Sequence, residues 1–216
     1  MSLSPGAETL AARLGLTENR SACLFKPLIE LLAQGRPVDL ERLAAQSGLQ
    51  PARLHQELAK LPALEWDGQG RIIGAVLTLT PTPHRVLIDG QTLYAWCALD
   101  TLFLPALLER RAIVFSPTPG TGELVQVSVA PDRLEQVTPA AAVVSLVPRP
   151  AATPDVRAAF CRFVHFFSSS AAAQPWLAQH PQAILVPVAE AFALGQQVAA
   201  AITAPSGTTG GCCAQG

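Results

Sequence analysis

Pro51-Ala-Arg-Leu-His-Gln-Glu-Leu-Ala-Lys-Leu-Pro-Ala-Leu-Glu-Trp-Asp-Gly-Gln-Gly-Arg-Ile-Ile-Gly74 carries two structural signals in succession. Pro51 suits the first turn of a helix, where its missing N–H costs nothing. Leu54, Leu58 and Leu61 then share one face of a helix over 52–61. Beyond Pro62, two extended runs, 64–66 and 72–80, flank Asp67-Gly68-Gln69-Gly70, a hairpin turn. Upstream, helical spacing over 24–34 stops at Gly35 with Pro37 just beyond. Asp39 is placed to cap a second helix over 40–46, which Gly48 ends. Three helices and a hairpin are the winged-helix order, predicted for residues 20–80. A short amphipathic lead-in with Leu10, Leu14 and Leu16 precedes it.

A winged helix invites a DNA-binding role, and the charges argue against it. Lys and Arg up to position 80 are matched one for one by Asp and Glu, and the third helix sets Glu57 among Arg53, His55, Gln56 and Lys60. Phosphate-backbone binding needs a net positive face. The whole chain has a formal net charge of −1 over 216 residues, so neither nucleic acid nor an anionic membrane is an expected partner. No apolar run reaches membrane-span length, and Met1 to Glu8 lacks the basic and apolar regions of a signal peptide. The expected location is the cytoplasm, where Cys23, Cys97, Cys161, Cys212 and Cys213 would stay reduced.

After Pro81 and Pro83, read as a linker, the pattern turns to short strands with few helices. Strands are predicted at 85–88 and 91–93 around Asp89-Gly90, at 111–115 and 124–130 across a Pro/Gly-rich loop, at 140–147 and at 184–187. Helices are predicted from Cys97 to about Leu108, over 156–160 with Thr153 or Asp155 as cap, over 171–179 and over 189–202. The fold class is therefore α+β. A winged-helix-like domain (1–80) leads into a mixed α+β catalytic domain (81–203), and a flexible Gly/Ser/Thr-rich tail (204–216) carries Cys212-Cys213.

Chemistry concentrates in Leu93-Tyr-Ala-Trp-Cys97-Ala-Leu-Asp100-Thr-Leu-Phe-Leu-Pro105. In a helix, Cys97 and Asp100 lie on one face. An acid among such neighbours is costly to bury unless paired or neutral, and desolvation raises its pKa. Cys161 is the second thiol in apolar surroundings. Three readings of these residues stand open. Cys97, Asp100, Cys161 and His165 could ligate zinc; Cys97 could be a nucleophile served by His165 and oriented by Asp100; or two thiolates and a proton-donating carboxyl could serve a soft, two-coordinate cation bearing a carbon group. The plain alternative is that Asp100 caps a turn and Cys97 is a small buried hydrophobe.

Leu93 to Leu102, Ala142-Val-Val-Ser-Leu-Val147, Asp155-Val-Arg157 with Phe160-Cys161, and Val164-His-Phe-Phe167 together resemble the alkylmercury (organomercurial) lyases. Gly35-Arg-Pro-Val38, the hairpin Asp67 to Gly74 and Glu190 to Gln196 match as well, so the resemblance spans about 24–198. It implies a helical domain that packs on the catalytic domain rather than on DNA, and places the family's two essential cysteines and its aspartate on Cys97, Cys161 and Asp100. It further implies protonolysis of a carbon–mercury bond to a hydrocarbon and Hg(II), with substrate and product mercury held by these same residues, within mercury detoxification. No organic cofactor is expected; excess solution thiol is required, and a mercuric reductase is an expected recipient. Tyr94, Trp96, Phe160 and Phe166 are candidate walls for the organic group. Thr118 stands where many members carry a further cysteine, and Cys212 and Cys213 are additional candidates for mercury. The competing reading is a thiol-based, mercury-responsive winged-helix regulator, which leaves Asp100 and the second domain without a role.

Overall fold

The computed structural model describes residues 22–59, 61, 63–148 and 155–203. The expected lead-in before position 20, Thr153 and the tail with Cys212-Cys213 lie outside them. Helices α1 (Ala22–Leu32), α2 (Leu40–Ser47) and α3 (Pro51–Leu58) follow the predicted order. Gly48 ends α2 in the left-handed conformation, at φ 68°, where a residue without Cβ fits without strain. Asp39 holds the cap position of α2, yet its carboxylate makes no capping bond. Helix α3 stops at Leu58, short of the predicted 61; Leu61 precedes a proline and is pushed out of helical conformation.

The hairpin joins β1 (Glu65–Trp66) to β2 (Ile72–Ala75), and Asp67 Oδ1 accepts the N–H groups of Gln69 and Arg71 at 2.9 Å each. The single strand expected over 72–80 is instead two. Val76 takes φ 61°, and β3 (Leu77–Thr78) folds back antiparallel on β2. A β-branched residue is seldom found there, so Val76 carries no turn signal. The Val76 carbonyl accepts the N–H of Trp96 at 2.9 Å, which ties this corner to the residue before Cys97.

Strands β4 (His84–Ile88) and β5 (Gln91–Ala95), helix α4 (Ala98–Leu108), and strands β6 (Ala112–Pro117), β7 (Leu124–Val129) and β8 (Leu134–Thr138) come next. Strand β8 was not predicted: its residues are partly or fully exposed and charged at Glu135, as suits an edge. The eight strands form one antiparallel sheet in the order β1-β2-β3-β5-β4-β6-β7-β8. The Pro81–Pro83 stretch therefore connects strands of the same sheet. A second sheet, β10-β9-β11, is built on β9 (Val143–Leu146) between β10 (Phe166–Phe167) and β11 (Ile184–Pro187). Helix α5 (Val156–Ala159), a 3-10 turn at Cys161–Phe163, α6 (Ser170–Leu177) and α7 (Val188–Thr203) complete the described chain.

Two large apolar clusters result. The first joins α1–α3 to Phe103, Leu104 and Leu107 of α4 and to Val198 of α7. The second surrounds Cys97 and Cys161 with Trp96, Leu99, Val144, Phe160, Val164 and Phe166. Helices α4 and α7 pack closely at Gly195, where a Cβ would meet the Leu102 backbone at 3.3 Å.

Candidate active site

Cys97 is not inside the helix, as predicted, but is its N-cap, in extended conformation two residues beyond β5. Asp100 is then the third helical residue, and its carboxylate Oδ2 accepts the Cys97 backbone N–H at 2.9 Å. This is the geometry of a capping box with the usual residues replaced. Asp100 thus does cap the helix, and the cap aims its carboxyl back at the sulfur. The Cys-x-x-Asp spacing ahead of an apolar run carried that signal.

Cys161 comes from 64 residues further along, on the 3-10 turn that follows α5. Asp155 caps α5 by accepting the Ala158 N–H at 2.9 Å, and the turn closes with Val164 N–H donating to the Cys161 carbonyl at 3.0 Å. Val164 in turn accepts the Ala98 N–H at 3.0 Å. The start of α4 and the Cys161 turn are thereby joined. One ligand atom from each of Cys97, Asp100 and Cys161 lies within 4.8 Å of the others.

All three side chains are buried: Cys97 is 0% exposed, Cys161 3% and Asp100 5%. Burial pushes Asp100 up to about 7 from 3.8, against the opposing hydrogen bonds from Cys97. Burial also raises the Cys97 thiol well above its ordinary value, helped by its hydrogen bond to Cys161 and by the charge of Asp100; the Asp100 backbone amide works the other way. Near neutral pH the site therefore holds protons that it can give up when a cation arrives.

His165 is not part of this group. Its Nε2 lies 2.8 Å from the Arg162 carbonyl, and its ring stacks on buried His84 at 5.8 Å and meets Trp176 edge-on. Among the described residues, the one cluster of three possible metal ligands is Cys97, Asp100 and Cys161. The zinc and Cys–His readings both need His165 and lose their support. Trp96, Phe160 and Phe166 are buried around the cysteines, whereas half-buried Tyr94 lies outside that cluster. A cleft of about 330 Å³ is lined by Trp96, Glu65, Asp155 and Arg157. There Arg157 pairs with Glu65 and lies over the Trp96 ring. Thr118, buried at 1% exposure, accepts the Ser168 N–H at 2.9 Å and holds its loop to the strand end after β10. Cys212 and Cys213 lie outside the described residues.

Comparison with known proteins decides among the remaining readings. A family model described as alkylmercury lyase matches residues 77–200, and one described as the helix-turn-helix domain of alkylmercury lyase matches 7–75. The chain belongs to the alkylmercury lyase family. A family member from Staphylococcus epidermidis named alkylmercury lyase is 50% identical over 194 residues, 88% of each chain. Another from Streptomyces lividans is 45% identical over 213 residues, 96% of this chain and 98% of its own. Among solved structures, the mercury-bound form of MerB2 superposes with a TM-score of 0.74 at 27% identity, covering 91% of this chain and 96% of its own. A mercury-responsive regulator is not favoured by these alkylmercury lyase relatives.

Proposed function

We propose that this protein cleaves the carbon–mercury bond of organomercurials by protonolysis, with Cys97 and Cys161 as the sulfur ligands of mercury and Asp100 as the proton donor. The observation that carries this reading is two buried thiols within 4.8 Å of a buried carboxyl, which burial pushes up to about 7. The first cysteine, as thiolate, displaces the solution thiol from R–Hg–SR′, and the departing sulfur takes up a proton. The second cysteine passes its proton to the Asp100 carboxylate and adds to mercury, and two sulfur donors push electron density onto the bound carbon. Asp100 passes its proton to that carbon, the C–Hg bond breaks with its electron pair on carbon, and R–H leaves. Protons balance: the one lost by the second thiol matches the one the carbon gains. Apolar neighbours keep water out and keep the carboxyl protonated until it acts.

No organic cofactor enters this scheme. Solution thiols deliver the substrate and remove Hg(II), and a mercuric reductase is the natural recipient in a reducing cytoplasm. The test is hydrocarbon release from phenylmercuric acetate in excess thiol. Wild type should release benzene, and Cys97→Ser and Cys161→Ser should each abolish release while staying folded, because a hydroxyl is a poor ligand for so soft a metal. Turnover by either variant within a few-fold of wild type would overturn the two-thiolate reading.

A further inference from the structure

The mechanism requires two sulfurs from distant parts of the chain to reach one mercury atom, so something must fix the Cys161 turn against Cys97. The connection runs through one residue, Val164, whose N–H donates to the Cys161 carbonyl and whose C=O accepts the Ala98 N–H, each at 3.0 Å. Val164 is held from both sides by one side chain. Ser145 Oγ donates to the Phe163 carbonyl at 2.8 Å and accepts the His165 N–H at 3.0 Å. The Ser145 backbone N–H adds a third bond, to the His165 carbonyl, at 3.0 Å. Ser145 is fully buried on β9, the middle strand of its sheet, paired with Leu185 of β11, while neighbouring Val144 pairs with Phe166 of β10. It is the one polar residue of an otherwise apolar strand, Val143-Val-Ser-Leu146.

We propose that Ser145 is a positioning residue for the dithiol, clamping the Phe163–His165 backbone so that the Cys161 sulfur sits at the separation from Cys97 that lets both bind one mercury. The inference rests on the two-thiolate reading above. Ser145 does not touch the reacting atoms and acts through Val164. Capture of an organomercurial needs only one thiolate, whereas cleavage and Hg(II) retention need both. Loss of the clamp should therefore separate these steps, which a general loss of stability would not do.

The experiment compares wild type, Ser145→Ala and Ser145→Thr in single turnover with phenylmercuric acetate. Capture and benzene release are followed separately, and release is counted per captured phenylmercury. Ser145→Ala should capture at the wild-type rate and release benzene about tenfold or more slowly, the scale expected when reacting groups are misplaced by under an ångström or so. Ser145→Thr, which keeps the hydroxyl, should restore release to within a few-fold. Titration with mercuric chloride against a competing dithiol needs no turnover, and should show Hg(II) affinity falling in Ser145→Ala and recovering in Ser145→Thr. The pair Ser145→Thr and Ser145→Val repeats the comparison without a cavity, so poor folding of the alanine variant does not remove the test. Equal release and Hg(II) affinity with and without the hydroxyl would overturn the proposal, as would capture falling in step with release. Failure of wild type to release benzene would instead overturn the functional reading, leaving the mercuric chloride titration to judge the clamp.

Discussion

Asp100 does two things that pull in opposite directions. As a helix cap it is best ionised, accepting the Cys97 N–H at 2.9 Å; as a buried acid it is best neutral, and burial wins, lifting it to about 7 from 3.8. The folded state thus holds this proton more tightly than the unfolded chain. That contribution to stability is fully present below about pH 4 and is lost as pH rises through 7, at a cost on the order of 4 kcal/mol once ionisation is complete. Asp100→Asn keeps the shape and removes the titration. Its stability relative to wild type should rise by roughly 2–4 kcal/mol between pH 5 and pH 9 in urea unfolding. The same variant should retain phenylmercury stoichiometrically without releasing benzene, because the amide has no proton to transfer. A constant stability difference across that range would mean that another group carries the buried proton.

Helix α3 occupies the place of a recognition helix, and its exposed face offers Arg53, His55 and Gln56. Leu54, Glu57 and Leu58 are buried, and Arg53 is drawn to Glu57 at 3.3 Å. A gel-retardation assay at low salt should find no salt-sensitive affinity for random or promoter-proximal duplexes, since no net positive face is offered; sub-micromolar binding would revive a regulatory role. The Cys212-Cys213 pair ends a Gly/Ser/Thr-rich stretch that we propose serves as a tethered dithiol for mercury release. Truncation after Pro205 should leave single-turnover cleavage unchanged and slow multiple turnover when solution thiol is scarce. Equal rates at every thiol concentration would remove that role. Elements with chemical punctuation were legible in advance: Gly48 ended α2, Pro51 began α3, and Asp67-Gly68 turned the hairpin. Those without it were not. Val76 bends a strand with no turn residue, β8 lacks an apolar face, and Cys97 caps a helix in place of the usual Ser or Thr. Cys97, Asp100 and Cys161 stood out as thiols and a carboxyl in apolar runs, but their chemistry left zinc and Cys–His readings open and the family resemblance singled out the three that the fold brings within 4.8 Å; Ser145 did not stand out, since its role lies in which distant backbone groups it meets.

At the scale of the molecule, the two family-matched segments, 7–75 and 77–200, meet within a single sheet. Strand β3 pairs with β2 on one side, at Gly74↔Thr78, and with β5 on the other, at Thr78↔Tyr94. The first apolar cluster likewise takes Leu24, Leu28 and Leu54 from one segment and Phe103, Leu104 and Leu107 from the other. Strand pairing across such distances is invisible to local patterns, so the sequence alone marked only a linker at Pro81–Pro83. Cutting the chain between Val76 and Leu77 would open the β2–β3 pairing and bare the cluster on both pieces. Neither piece should therefore fold alone, and each should show a broad, non-cooperative thermal profile. The intact chain should unfold in one urea transition, with circular dichroism and tryptophan fluorescence superimposing. Fluorescence is a fair reporter because Trp66 lies on β1, Trp96 beside the dithiol and Trp176 on α6. A sharp melt from residues 1–76 alone would show that the helical segment is stable by itself, and the shared sheet would then be an interface between two independent domains.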